Sequence, residues 1–167
     1  GVQTCALPIS GSDELRLIGG EPAPASVSSG SFAVGASASQ GVISTIIDGV
    51  EQRITFDGFA PTGDNINDRQ TIDSFTISGS TGADTINVVD GLPNFSKVNF
   101  NGAFSPISFQ NKARLDVRGL NNNDVINLNN PNKAAGLVVT NVNGGTGADT
   151  INVLVSNTGD LVGADGD

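Results

Sequence analysis

Histidine, tyrosine, tryptophan and methionine are all missing from the 167 residues, and cysteine occurs once. Without His, and with a single Cys, the chain lacks the groups that build the usual zinc sites, haem ligation and Ser-His-Asp nucleophile systems. Basic side chains are scarce as well: 8 Lys+Arg stand against 17 Asp+Glu, for a net charge of -9 and a sequence pI near 4.1. Phosphate backbones and anionic membrane surfaces both recruit cationic patches, so nucleic acid and lipid headgroups are not expected partners. No apolar run approaches the roughly 18 residues of a transmembrane helix, and no membrane span is expected in this stretch.

Glycine is abundant, with 22 residues, and 37% of the chain is hydrophobic, carried by Val, Ile, Leu and Phe. β-Branched residues alternate with polar ones over many short runs separated by Gly, Asn and Asp. That pattern is unlike a disordered chain and predicts an all-β protein with polar turns.

An apolar-x-apolar-x-Gly unit recurs as Leu15-Leu17-Gly19, Ile54-Phe56-Gly58, Phe75-Ile77-Gly79, Val98-Phe100-Gly102 and Leu115-Val117-Gly119, with a degenerate copy at Thr140-Val142-Gly144. Successive Gly positions are 39, 21, 23, 17 and 25 residues apart. The long first interval reads as a diverged coil or an insertion around Glu21 to Ser31, which leaves a mean coil of about 21 residues, within the range of solenoid repeats. From Gly79, Gly119 and Gly144 the sequence runs GSTGADTINV, GLNNNDVINL and GGTGADTINV, with Asp five residues on and Ile seven on each time. A looser copy places Asp64 and Ile66 one residue later, and the copy at Gly102 keeps Ile107 and Phe109 without the Asp.

Alternation points Phe75, Ile77, Ile86 and Val88 to one face and Asn87 to the other. So short a strand pair needs stacked neighbours to bury that face, and the expected fold is a parallel β-solenoid, or β-helix, with Gly at the corners. A β-sandwich built of repeats is the alternative, since short alternating strands with turn signals describe it too. In the solenoid, Asn87, Asn127 and Asn152 share one repeat position and form an outward amide ladder. Asn121, Asn122, Asn123, Asn129 and Asn130 are expected in turns, where left-handed geometry suits them.

The first residues differ from the rest. Gly-Val-Gln-Thr-Cys-Ala-Leu-Pro-Ile, Gly1 to Ile9, resembles the translation of a common short-read sequencing adapter. On that reading residues 1–10 are an artefact to be set aside from fold reasoning, Cys5 supports no redox or metal role, and residues 11–167 are a fragment of the repeat array.

GGTGADTIN, Gly144 to Asn152, fits the nonapeptide G-G-x-G-x-D-x-U-x at every specified position. It resembles the repeats-in-toxin family of secreted bacterial proteins, in which such turns enclose Ca²⁺. The resemblance implies Asp149 as a carboxylate ligand, Gly144, Gly145 and Gly147 as a backbone cradle, and Ile151 as a core residue. In GSTGADTIN, Ser80 replaces the second Gly and Asp84 is kept; GLNNNDVIN keeps Asp124 but has Asn122 for the third Gly. Family repeats follow one another every nine residues, whereas these copies stand 40 and 25 residues apart, and one Asp with a few carbonyls falls short of the six or more oxygens Ca²⁺ takes. Two readings of Asp84, Asp124 and Asp149 therefore stand: acceptors for backbone N–H groups in the corners, or calcium ligands. RLDVRGLNNNDVINLNN and VTNVNGGTGADTINV also resemble very large bacterial cell-surface and secreted repeat proteins, which implies an extracellular stalk, adhesin or matrix role.

Parallel β-helices also carry polysaccharide-cleaving enzymes, and the best constellation for one here is Arg114, Asp116 and Arg118 on the outward side of one strand. A solvated strand of alternating charge explains the same row. Phe59, Phe95 and Phe104 lie near turns and are expected to cover edges or pack loops. The expectation is thus a non-catalytic structural or adhesive segment with no required cofactor, meeting surface glycans or other cell-surface proteins. A calcium-binding segment that folds on secretion is the alternative, and a polysaccharide-active β-helix comes third.

Overall fold

Strand alternation is obeyed where the repeats are clearest. Phe75, Ile77, Ile86 and Val88 are buried, while Asn87 between them is only half-buried. A computed structural model describes residues 2–6, 13–18, 28–62, 65–156 and 161–166. The described elements are β1 (Val2–Ala6), β2 (Glu14–Leu17), β3 (Ser29–Val34), β4 (Gly41–Ile47), β5 (Val50–Asp57), β6 (Asn65–Asp68), β7 (Ile72–Ser78) and β8 (Thr85–Asp90). They continue with β9 (Ser96–Asn99), β10 (Ile107–Phe109), β11 (Lys112–Asn121), β12 (Val125–Asn130), β13 (Val139–Thr146), β14 (Thr150–Ser156) and β15 (Leu161–Gly166). Gly19, Glu21 and Asp64 lie outside the described residues.

The strands form two mixed sheets, ordered β1-β5-β4-β3-β7-β11-β13-β15 and β14-β12-β8-β9-β10-β6-β2. One apolar core joins them: Phe32, Phe56, Phe75, Leu115 and Val142 from the first sheet meet Ile66, Val88, Val98, Phe109 and Ile126 from the second. The architecture is all-β and sandwich-like, and it corrects the expectation of a parallel β-solenoid with 21-residue coils. Parallel pairing does run through β3, β7, β11 and β13, and through β8, β12 and β14. Antiparallel pairing interrupts it at β3-β4-β5 and at β8-β9-β10.

Local chemistry explains the interruptions. Asp48 and Gly49, at φ 51° and 77°, form a two-residue turn between the paired residues Ile47 and Val50. Asp-Gly supplies the two positive φ values that a tight hairpin requires. The Ile54-Phe56 copy therefore sits on β5, the second arm of a hairpin, and Val98 sits on antiparallel β9. Neither begins a new layer, which is why the Gly intervals are irregular. Part of the expected insertion, Ser29 to Ser31, is strand β3 in register with β7.

The turn expectations are corrected in detail. Of the five Asn assigned to turns, Asn122 alone has positive φ (69°), and Asn130 is buried in β12, donating to Ser96 Oγ at 2.8 Å. Phe59 is a core residue, edge-on to Phe56 at 5.3 Å, and Phe104 packs edge-on to Phe100 at 5.8 Å. Phe95 is buried beneath the Arg69 guanidinium, 5.3 Å from its ring centre. No helix among the described residues is long and apolar enough to cross a membrane.

Candidate functional site

Each Gly-x4-Asp stretch carries the chain from the first sheet to the second, at β7 to β8, β11 to β12 and β13 to β14. Parallel register then stacks Asp84, Asp124 and Asp149 at one corner of the molecule. The Asp84 N–H donates to Asp124 Oδ1 at 2.7 Å, and the Asp124 N–H donates to Asp149 Oδ1 at 2.8 Å. The backbone runs alongside, with Val125 N–H donating to the Asp84 carbonyl and Thr150 N–H to the Asp124 carbonyl.

The second carboxylate oxygens explain the glycines. A Cβ on Gly79 would come within 2.6 Å of Asp84 Oδ2, and Gly119 and Gly144 lie equally tightly beneath Asp124 and Asp149. Gly at the first motif position is thus demanded by the Asp that folds back over it. Asp84 Oδ2 accepts from the Ser80 N–H at 2.6 Å and from Ser80 Oγ at 2.9 Å. In the next two layers Leu120 and Gly145 take the place of Ser80, at φ 89° and 97°. Asp124 Oδ2 and Asp149 Oδ2 are left buried without a hydrogen-bond partner. Gly145 and Gly147, both at positive φ, pass so close to the Leu120 and Asn122 carbonyls that no side chain fits.

The implied calcium site can be tested against this geometry. Among the described residues no group of three or more acidic, His or Cys side chains lies close enough to hold a metal ion. Asp84, Asp124 and Asp149 each meet a neighbour along the ladder instead of converging on one point. The donors present, two unpartnered carboxylate oxygens, do not complete the six or more oxygens of a Ca²⁺ shell.

Burial, aided by the Asp84 and Asp149 charges, raises the Asp124 carboxyl above its ordinary 3.8, against the lowering effect of the Asp84 N–H. An acid whose folded value is raised binds more protons folded than unfolded, so its contribution to stability falls as pH rises from about 3.8 through the raised value. Asp124→Asn keeps an acceptor for Asp84 N–H and removes the charge. It is expected to melt at or above the parent at neutral pH, with the gap closing on acidification. Melting curves across that range check this, and a pH-independent loss would contradict it.

Asn152 Nδ2 donates to Asn127 Oδ1 and Asn127 Nδ2 to Asn87 Oδ1, both at 2.8 Å, so the amide ladder forms. Asn99 on antiparallel β9 extends it, accepting from Asn87 Nδ2 at 3.0 Å. Arg114, Asp116 and Arg118 face outward beside Asn141 and Asn143 along an open groove of about 630 Å³. Among the described residues that line it, Asp116 is the one carboxylate, and it is engaged by Arg114 Nε at 3.0 Å, Asn141 Nδ2 at 2.6 Å and Ser74 Oγ at 3.2 Å. Partial burial opposes ionisation, but those hydrogen bonds prevail and hold the Asp116 carboxyl below the usual range. Its contribution has the opposite sign to that of Asp124, and is lost as pH falls through the depressed value.

Sequence reading missed a second polar centre. Lys112 and Asp68, both 0% exposed, form an ion pair at 2.9 Å. Asp68 lies two residues from core residue Ile66 on β6, so alternation alone places it inward; Lys112, opening β11, carries no comparable signal.

No protein-family model matches the chain, and no curated protein or solved structure matches it either.

Proposed function

We propose that the chain is a non-catalytic structural or adhesive segment of a large extracellular repeat protein. The observation that carries this reading is the use made of the polar repeat positions. Asp124, Asp149, Asn87, Asn127 and Asn152 all bond one layer to the next. Side chains committed to stacking are what a rigid spacer needs. The groove along β11 and β13 supports the same reading: Arg114, Arg118, Asn141 and Asn143 suit binding of a surface glycan or an acidic protein partner.

A second reading, a calcium-binding segment that folds on secretion, rests on the unpartnered buried oxygens of Asp124 and Asp149. Far-UV circular dichroism with thermal melts, in Ca²⁺ and in excess chelator, separates the two. The structural reading expects one β-spectrum and one melting temperature in both. A Ca²⁺-dependent melt that disappears in an Asp84/Asp124/Asp149→Asn variant would overturn it in favour of calcium. Binding of immobilised glycans, lost in Arg114→Ala/Arg118→Ala at unchanged melting temperature, tests the adhesive face.

A further inference from the structure

The Lys112–Asp68 pair is a different matter from the corners. Asp68 closes β6 in one sheet and Lys112 opens β11 in the other, 44 residues apart in sequence, so their contact links the two sheets where residues 69–71 and 110–111 pass between them. Lys112 Nζ is 2.9 Å from Asp68 Oδ1, also donates to the Gln70 carbonyl, and lies 5.4 Å from the centre of the Phe75 ring. Gln70 N–H donates to Asp68 Oδ1 at 2.9 Å, while Asp68 Oδ2 is buried with no partner.

We propose that Lys112 and Asp68 are an amide-forming pair, which joins Nζ to Cγ and staples the two sheets covalently. The ammonium passes one proton to Asp68 Oδ1 along their hydrogen bond, and that proton then shifts to Oδ2 of the neutral carboxyl. The freed nitrogen lone pair adds to Cγ, forming the N–C bond. The C–Oδ2 bond then breaks, and that oxygen leaves with the transferred proton and a second proton from the nitrogen, as one water. The third proton stays on the amide nitrogen, and no oxidant, reductant or co-reactant is consumed.

The surroundings favour each part. Gln70 N–H is placed to stabilise negative charge on Oδ1 as the carbon becomes tetrahedral. The Gln70 carbonyl already accepts from Nζ and is placed to accept the amide N–H. Desolvation raises the Asp68 carboxyl and lowers the Lys112 ammonium, against the attraction between them, which favours the neutral acid and amine that react. Two buried charges, costly to hold away from water, become one neutral amide. Holding the groups together supplies the proximity that the reaction lacks in solution.

Intact mass of the folded, purified chain tests this. The expected value is lower than the sequence mass by one water. Trypsin should then leave residues 54–69 joined to 98–114 as one branched peptide, since an acylated Lys112 resists cleavage. Lys112→Met should restore full mass for its sequence. Full mass in the parent after prolonged folding, with Lys112 open to an amine reagent on denaturation, would overturn the proposal. So would a water loss that persists in Lys112→Met, which would mark ring closure at an Asp-Gly step such as Asp48-Gly49. Because the parent's own mass decides, the result does not depend on the variant folding.

Discussion

Phe75→Ala is expected to cost about 3–5 kcal/mol, the range for emptying an aromatic from a sealed core. Phe75 is 0% exposed, packs on Phe109 at 5.7 Å between ring centres, and stands over the Lys112 ammonium. Truncation leaves a cavity between the sheets and removes the ring that helps shield a buried charge. For a chain of this size the cost corresponds to a melting temperature lower by roughly 6–20 °C. Val50→Ala is the comparison. Val50 is 65% exposed, beside the hairpin turn, and its truncation should change stability by about 0.5 kcal/mol or less. Chemical denaturation of both variants measures the difference, and equal losses would mean that the inter-sheet core is not where stability resides.

Gly119→Ala is the second large effect. The new methyl group would collide with Asp124 Oδ2 and with the Gly144 carbonyl oxygen of the next layer. A side chain can swing aside, but a backbone carbonyl held in a parallel ladder cannot do so without opening the register. Overpacking of this kind costs about 1–3 kcal/mol, and the fixed carbonyl places it at the upper end. Gly82→Ala, in the same kind of corner, meets only Ser80 Oγ at 3.5 Å, and Gly82 is not among the glycines at positive φ. It should be neutral or stabilising by about 0.4–1 kcal/mol through the unfolded chain. Combining Gly119→Ala with Asp124→Ala should recover part of the loss and leave the part due to the Gly144 carbonyl, which a double-mutant cycle separates. Full recovery would assign the whole clash to the carboxylate.

These residues also show what was legible in the sequence. The fixed Gly-to-Asp and Gly-to-Ile offsets marked the corners, and period-two alternation marked the buried faces of β7, β8, β11 and β12. Both signals are local, and local chemistry decides them. Sheet partners are not local. Ile54-Phe56 and Val98-Phe100 carry the same apolar spacing as Phe75-Ile77, yet turn geometry sends them into hairpins. Asp48-Gly49, flanked by VISTII and VEQRITF, is the sequence signal that marks the first hairpin. It competed with a repeat pattern that treated every apolar-x-apolar-x-Gly copy as equivalent. At the candidate site, the Asn ladder followed from repeat position alone, while the roles of the two Asp124 oxygens depend on the Gly119 backbone beneath them and the Asp84 backbone beside them. Lys112 was beyond reach because its partner is 44 residues away on the opposite sheet.

The amide ladder has a direction. In every bond from Asn152 through Asn127 and Asn87 to Asn99, Nδ2 points away from β14, toward the Oδ1 on the next strand in the order β14-β12-β8-β9. Four side-chain dipoles therefore add along the stacking axis, and each amide polarises the next. A layer laid against β14 continues the row by offering an N–H donor to Asn152 Oδ1, whereas a layer offering a second oxygen meets like charge. The molecule thus distinguishes head from tail along its stack by electrostatics alone, and an assembly of such layers inherits one polarity from end to end.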